Sequence, residues 1–281
     1  MGIDSRLGTL RSLRFLLCLL FLFPTLVSAK TLVFTAPPRE TPDQGKAVYG
    51  PIADYLSKEL KVPVKYEHPK NWTNYTKDMH EGKFDIVFDG PHFAAWRIKH
   101  LKHKAVAKLP GNLTFVIFTD RNSHKINKLR DLIGKNICGL PSPNLATMSA
   151  FSMYNNPVIQ PYVYFVKGGP PMVYKSFKEG KCIAAVIRDQ YFLKKVPADE
   201  REKLKIIGKS RPYPNQTFTV STRLTPEQVQ RIKTSLTSPE GAIAAAKLLN
   251  RFSKKRKYIE AAESKDYAGI EQLLEKIVWG W

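Results

Sequence analysis

Gly82-Lys83-Phe84-Asp85-Ile86-Val87-Phe88-Asp89-Gly90-Pro91-His92-Phe93 is the stretch on which the fold turns. Just upstream, Trp72, Tyr75 and Met79 fall at helical spacing, and Gly82 ends that helix. Asp85 to Phe88 is then a short apolar run closed by Gly90-Pro91, which reads as a buried strand. Working back, Thr31–Thr35 is a strand stopped by Pro37-Pro38. Gly45 to Leu60 carries Val48, Ile52, Tyr55, Leu56 and Leu60 near i, i+3, i+4 spacing and reads as a helix, and Val62 to His68 as a second strand. The order β-α-β-α-β predicts a mostly parallel sheet covered by helices on both faces.

The rhythm restarts downstream. Strands are predicted at Phe115–Thr119, Asn136–Leu140, Tyr162–Val166, Cys182–Ile187, Lys205–Ile207 and Phe218–Ser221. Helices are predicted from Pro143-Asn144 to about Tyr154, over Pro171–Glu179, after Thr225-Pro226 and Ser238-Pro239, and over Tyr267–Val278. Two βα units in succession, with helices returning at the end, fit an α/β chain of two lobes joined by two crossovers. Residues 30–118 and 218–281 form lobe 1 on this reading, and 119–217 lobe 2. Ligands of such open sheets bind beyond the carboxyl ends of the strands, where loops face one another.

Residues 1–29 read as a secretory signal peptide: Arg6, Arg11 and Arg14, then the apolar run Phe15–Leu26, then Val27-Ser28-Ala29 with cleavage after Ala29. The apolar run is shorter than the roughly 20 residues a membrane helix needs. The expected location is the periplasm, as a monomer. The chain's net charge of +21 becomes about +19 without Asp4 and the three arginines. Its basic residues are dispersed, the densest run being Lys254-Lys255-Arg256-Lys257, and no nucleic-acid fold signature accompanies them, so the charge suits anionic solutes or lipid head groups and not DNA. His100 and His103 lie in a basic stretch, Arg97 to Lys104, read as a solvated helix face and not a metal site. No nucleophile elbow, HExxH, P-loop or GxGxxG is present, which argues against an enzyme, a cofactor or a metal. Cys138 and Cys182 remain after cleavage, spaced for neither CxxC redox chemistry nor zinc. One structural disulfide or two buried thiols are the alternatives.

Several residues sit where loops meet in such a fold. Arg39, in the exit loop of the first strand, can pair bidentately with a carboxylate or phosphate. Asp89, Gly90, Pro91 and His92 form the loop after the third strand, Asp89 suited to a cation and His92 to an anion. Ser142, Asn144 and Thr147 offer donors at a strand-to-helix junction, with backbone N–H groups near Leu145 and Ala146. Asn144 is also an ordinary helix cap.

The stretches Leu32–Pro37, Tyr49–Leu56 and Gly82–Phe93, with Gly180–Ile187 and the Asp266-Tyr267 helix, resemble the periplasmic phosphate/phosphite/phosphonate-binding family. These are the solute-binding components of ABC transporters. The resemblance covers essentially the whole mature chain. It implies the type II periplasmic-binding fold, hinge closure over a small ligand such as phosphate or phosphonate, and delivery to an ABC permease. The alternative is a ligand sensor partnered with a membrane-bound kinase or cyclase. It further implies that Tyr49, opening its helix, and Phe93, in place of a family tyrosine, contact ligand. Asp189, after the Cys182–Ile187 strand, matches the acidic residue that takes an amino group. Where the family carries a Ser/Thr-rich tripeptide, this chain has Pro143-Asn144-Leu145-Ala146-Thr147. The fold also places the two cysteine-bearing strands side by side, which implies the Cys138–Cys182 disulfide.

Overall fold

Two prolines decide where the first strand stops. β1 (Leu32–Thr35) runs into Pro37-Pro38, which have no N–H to donate to a ladder. Residues 30–278, apart from 155, 157 and 254–256, are described in a computed structural model. Residues 1–29, expected to be a signal peptide and including Cys18, and most of the basic run at 254–257, lie outside the described residues. No helix among the described residues is long and apolar enough to cross a membrane.

α1 (Pro42–Leu60) starts from Thr41, whose hydroxyl accepts from the Gln44 amide while the Gln44 side chain accepts from the Thr41 amide. This reciprocal cap fixes the helix start. Tyr49, Ile52, Ala53 and Leu56 then form its buried stripe. β2 (Val64–Glu67), α2 (Trp72–His80), β3 (Ile86–Asp89), α3 (Pro91–Leu101) and β4 (Lys104–Lys108) follow. β1 pairs in parallel with β2 and β3. All four residues of β3 are buried.

The chain then crosses by β5 (Asn112–Leu113) into β6 (Phe115–Asp120), β7 (Asn136–Gly139), α4 (Leu145–Phe151), β8 (Tyr162–Phe165), α5 (Pro170–Lys178), β9 (Ala184–Arg188), α6 (Asp189–Lys195), α7 (Ala198–Glu202) and β10 (Leu204–Lys209). It returns by β11 (Tyr213–Pro214) into β12 (Thr217–Val220), then α8 (Pro226–Thr237), α9 (Pro239–Ala244), α10 (Ala246–Phe252), β13 (Glu260–Ala261) and α11 (Gln272–Glu275). The result is a six-stranded sheet, β13-β4-β12-β3-β1-β2, and a five-stranded one, β10-β6-β9-β7-β8. This is the α/β architecture with helices flanking mixed sheets. Parallel pairing is confined to one half of each sheet, because β12 returns antiparallel between β3 and β4, and β6 lies antiparallel to both β9 and β10.

The two crossovers run together. β5 and β11 pair as Leu113↔Tyr213 and Asn112↔Pro214. The Leu109 amide donates to Gln216 O (2.9 Å) and the Asn215 side-chain amide to Pro110 O (3.0 Å). The outward crossover, expected near Phe118, lies earlier, before Phe115, because Phe118 is registered inside the five-stranded sheet against Ile206 and Ala185.

Other elements differ from the sequence reading for definable reasons. Arg97 and His103, expected on a solvated face, are 1% and 4% exposed, because α3 packs inward and β4 follows it at once. The expected Tyr267–Val278 helix is reduced to a 3-10 turn at Ser264–Tyr267 and the single turn α11. Gly269 between them has φ +80, a left-handed conformation that breaks a helix. Under the six-stranded sheet, Phe34, Ile52, Leu56, Phe88, Phe218, Ile232 and Leu236 form one apolar cluster, each contributing roughly 1.5–3 kcal/mol by burial.

Cys138 and Cys182 are joined by a disulfide, with Cα atoms 5.5 Å apart. Cys138 lies in β7 and Cys182 just before β9, its parallel neighbour. Closing a loop over a sequence separation of 44 restricts the unfolded chain by about 4 kcal/mol on the chain-entropy model, and measured values are commonly lower. Replacing both cysteines with alanine is expected to lower unfolding stability by about 2–4 kcal/mol, read from urea titration by circular dichroism.

Candidate ligand site

The Pro37-Pro38 stop throws Arg39 and Glu40 off the end of β1, and a tight turn from the Arg39 amide to Pro37 O (2.8 Å) holds them. The Glu40 side chain is only 1% exposed. One of its oxygens accepts from the Tyr49 hydroxyl (3.4 Å) and from the guanidinium of Arg251, at the end of α10. Phe252 stacks beneath both arginines, 4.8 Å from the Arg251 guanidinium and 5.9 Å from that of Arg39. Burial, and the positive charge of Arg39 beside it, pull the Arg251 pKa down. Burial pushes the Tyr49 hydroxyl up to about 12, against the opposing pull of Arg39. Two guanidiniums thus lie on one ring, and the carboxylate pairs with that of Arg251. Within this cluster Arg39 Nη1 and Glu40 Oε2 are buried and make no hydrogen bond to the protein. Neither Glu40 nor the Arg251-Phe252 pair was anticipated from sequence. Glu40 had a signal, a charged pair directly after a proline-stopped strand. Arg251-Phe252 had none.

The neighbouring wall is the start of α3. Gly90 is its N-cap and Pro91 its first residue. A Cβ at Gly90 would stand 2.8 Å from the His92 ring and 4.0 Å from Arg39 Nη2, so glycine is needed there for close approach. His92 is 3% exposed. Its Nε2 lies 2.9 Å from the carbonyl oxygen of Pro143, which only accepts, so Nε2 carries the proton and Nδ1 holds a lone pair. That Nδ1 is buried without a partner. Burial pushes the His92 pKa down to about 4, outweighing the Pro143 hydrogen bond and the nearby Asp89 that favour protonation.

The His92–Pro143 contact joins the end of the six-stranded sheet to the turn entering α4. There Asn144 caps the helix by accepting from the Ala146 amide (2.9 Å). Leu145 and Ala146 are buried in the core, and Ser142 is exposed. Arg188, at the end of β9, adds a buried Nε without a partner. No cluster of three potential metal-ligating side chains occurs among the described residues.

Residues 34–267 match the model of a family described as ABC transporter, phosphonate, periplasmic substrate-binding protein. The chain belongs to that family. Comparison with curated protein sequences gives no match. Among solved structures, XAC2383 from Xanthomonas citri bound to ATP is similar, with TM-score 0.66 and 14% identity over 89% of this chain and 100% of that one. PhnD1 from Prochlorococcus marinus in complex with methylphosphonate gives TM-score 0.62 and 16% identity over 88% and 98%. A binding protein component of an ABC phosphonate transporter from Pseudomonas aeruginosa, PA3383, gives 0.54 and 14% over 87% and 85%. At these identities the likeness establishes the type II periplasmic-binding fold.

Within this phosphonate-binding family member, several expected contacts have other work. Asp89 is no loop residue: it ends β3 fully buried, and both oxygens take the Arg97 guanidinium (2.7 and 2.8 Å), with the Tyr75 hydroxyl donating as well. Its charge is neutralised inside the protein. His92, placed in the same loop by the sequence reading, belongs with Phe93 to the first turn of α3. Phe93 packs edge-on against Tyr75 (5.7 Å) and along Trp72 (6.1 Å). Tyr49 lies well inside α1, not at its start, with 0% exposure. The Thr147 hydroxyl donates to Leu140 O (2.6 Å) and so is committed within the protein. Asp189 begins α6, its amide on Thr114 O (2.9 Å) and its carboxylate on the Gln190 amide (2.6 Å). It sits against the outward crossover.

Asp89→Asn is expected to leave Arg97 buried without its counter-charge and to cost about 3–5 kcal/mol in urea unfolding. A ligand-only role for Asp89 would leave stability unchanged. His92 and His103, the latter held down to about 2 by burial and nearby arginines, stay neutral in the folded state while the unfolded chain protonates near pH ~6.5. The unfolded state therefore binds more protons below that value, and stability falls as pH drops from ~6.5 toward ~4. Urea midpoints across this range should show the fall, and His92→Gln should flatten it in part.

Proposed function

We propose that this is an extracytoplasmic binding protein that takes up a small, singly protonated oxyanion and presents it to an ABC permease. In this reading the two sheets are the centres of two lobes, with boundaries at the paired crossovers. The ligand lies between the β1 and α3 ends of one lobe and the turn before α4 of the other. The protein acts as a monomer, is exported by a signal peptide cleaved after Ala29, and performs no catalysis.

The observation that carries the reading is that, among three buried, unpartnered atoms in one cluster, Arg39 Nη1 is a charged donor and His92 Nδ1 a neutral acceptor, the third being the Glu40 Oε2 acceptor. Leaving such groups unpaired costs roughly 1–3 kcal/mol each, more for the charge, and a ligand satisfying both removes that cost. The ligand must then offer an anionic oxygen to Arg39 and an O–H to His92. Hydrogen phosphate and hydrogen phosphonate have both; sulfate at neutral pH has no O–H. In this reading Ser142, Asn144 and the Leu145 amide contact the ligand from the opposite side, the Ala146 amide being taken by Asn144. Contacts to both sides stabilise the closed arrangement relative to an open one.

Titration calorimetry and thermal shift on residues 30–281 test this with methylphosphonate, phosphate and sulfate. Methylphosphonate or phosphate should raise the melting temperature, and sulfate should bind at least about tenfold more weakly, the worth of one buried hydrogen bond. Arg39→Gln should lower affinity by roughly 100-fold, the loss of a charge-assisted bond. Unchanged affinity in that variant would place the ligand elsewhere.

A further inference from the structure

A concavity lies away from the Arg39–His92 cluster, at the far end of α4. The helix enters at Asn144 beside His92 and finishes at Phe151. Beyond its end is a cavity of about 870 Å³. One wall is the return crossover from Lys209 to Tyr213, another the segment from Gly269 to Val278 that includes α11, and a third the chain just after α4.

The lining is divided by polarity. Its floor is apolar: Tyr213 and Leu273 are 2% and 5% exposed, and Phe151, Met153, Ile277 and Val278 pack onto the same core cluster. Its rim carries Lys209, Arg211 and Lys276, all exposed. None of these three is in an ion pair among the described residues. The single carboxylate of the lining, Glu275, does not neutralise them. It is turned to α3, accepting from Lys99 (2.9 Å) and the His100 ring (2.5 Å). The Arg211 guanidinium stands 5.1 Å over the Tyr213 ring, which orients one rim cation above the floor.

We propose that this cavity is a second binding site, for an amphipathic anion: a short alkyl chain or aromatic group on the floor, with its phosphate or carboxylate among Lys209, Arg211 and Lys276. The volume lies within the range of small-molecule sites. The apolar floor excludes a bare oxyanion from gaining much there, and the three unneutralised cations exclude an alkylammonium. Neither the helix start of α4 nor any residue of the Arg39–His92 cluster takes part.

Octyl phosphate is the probe, measured by titration calorimetry against the protein spanning residues 30–281, with octylamine and inorganic phosphate alongside. Octyl phosphate should bind with a dissociation constant below ~1 mM, octylamine detectably not. Saturating inorganic phosphate should leave the octyl phosphate affinity within about twofold, since a head group alone gains little at this site. The surface double variant Arg211→Gln, Lys276→Gln should weaken octyl phosphate at least about tenfold, while Arg39→Gln should leave it unchanged. Absence of octyl phosphate binding, equal binding of octylamine, or an unaffected double variant would each overturn the proposal. Loss of octyl phosphate binding in Arg39→Gln would also overturn it, by assigning the probe to the first site. Because the Arg211/Lys276 and Arg39 variants read the two sites separately, failure of either reading leaves the other decidable.

Discussion

The ion pair between Asp89 and Arg97 is the constraint from which the site geometry follows. It is fully buried, bidentate, and supplemented by Tyr75 from α2 and by Thr219 from β12, whose hydroxyl accepts from Arg97 at 3.0 and 3.2 Å. One carboxylate thus ties together the end of β3, the body of α3, the face of α2 and the returning strand β12. Burying two charges is expensive, and only complete hydrogen bonding compensates it. The return is positional: α3 cannot rotate or slide without breaking the pair, so the first turn of α3, with His92, is fixed relative to the tip of β1, with Arg39.

That rigidity matters because the chain's positive charge is not, by itself, a site. Most of its cations are solvated on the surface, where pairs and singles alike are worth little. At the tip of β1 the situation differs. Arg39 and Arg251 lie against one phenylalanine ring, and Glu40 pairs with Arg251, which leaves excess positive charge in a partly dry place. Coulombic attraction to an incoming anion grows as water is removed, so a guanidinium here counts for more than several lysines in solvent. The turn before α4 is mainly a scaffold in this chain: Asn144 caps, Thr147 braces Leu140, and Leu145 is buried. In the proposed reading the anion is held chiefly by arginine on the other side.

Much of this was legible in the sequence, for reasons that separate local from non-local information. The βα rhythm follows from periodicity and proline or glycine punctuation, which act within a few residues, and so β1 to β3, α1, α2 and α5 were readable. Insertion of β12 between β3 and β4 was not, because pairing of strands more than a hundred residues apart leaves no local trace. Arg97 looked solvated for the same reason: its partner Asp89 is eight residues away, but the Thr219 that completes its burial comes from β12. Arg39 was legible because two prolines announce the strand end that presents it. Glu40 stands beside it in the same proline-stopped exit. Arg251 and Phe252 reach the site only because the helices after β12 fold back on the first sheet, a fact of tertiary packing that spacing along the chain does not encode.

The state of His92 shows how packing sets chemistry at such a position. An imidazole in water titrates near pH ~6.5 and, once charged, offers two donors. Here Pro143 takes the Nε2 proton, and burial holds the ring neutral down to about 4. Protonating Nδ1 would place a second cation near Arg39 in a site already rich in guanidinium, with no carboxylate free to receive it except the unpaired oxygen of Glu40. The ring is therefore kept as donor on one face and acceptor on the other through neutral pH, where phosphate carries two protons or one and an alkylphosphonate one or none. An acceptor of fixed protonation beside a permanently charged guanidinium distinguishes oxyanions by whether they bear a hydrogen. Net charge alone, which sulfate shares with doubly ionised phosphate, would not make that distinction.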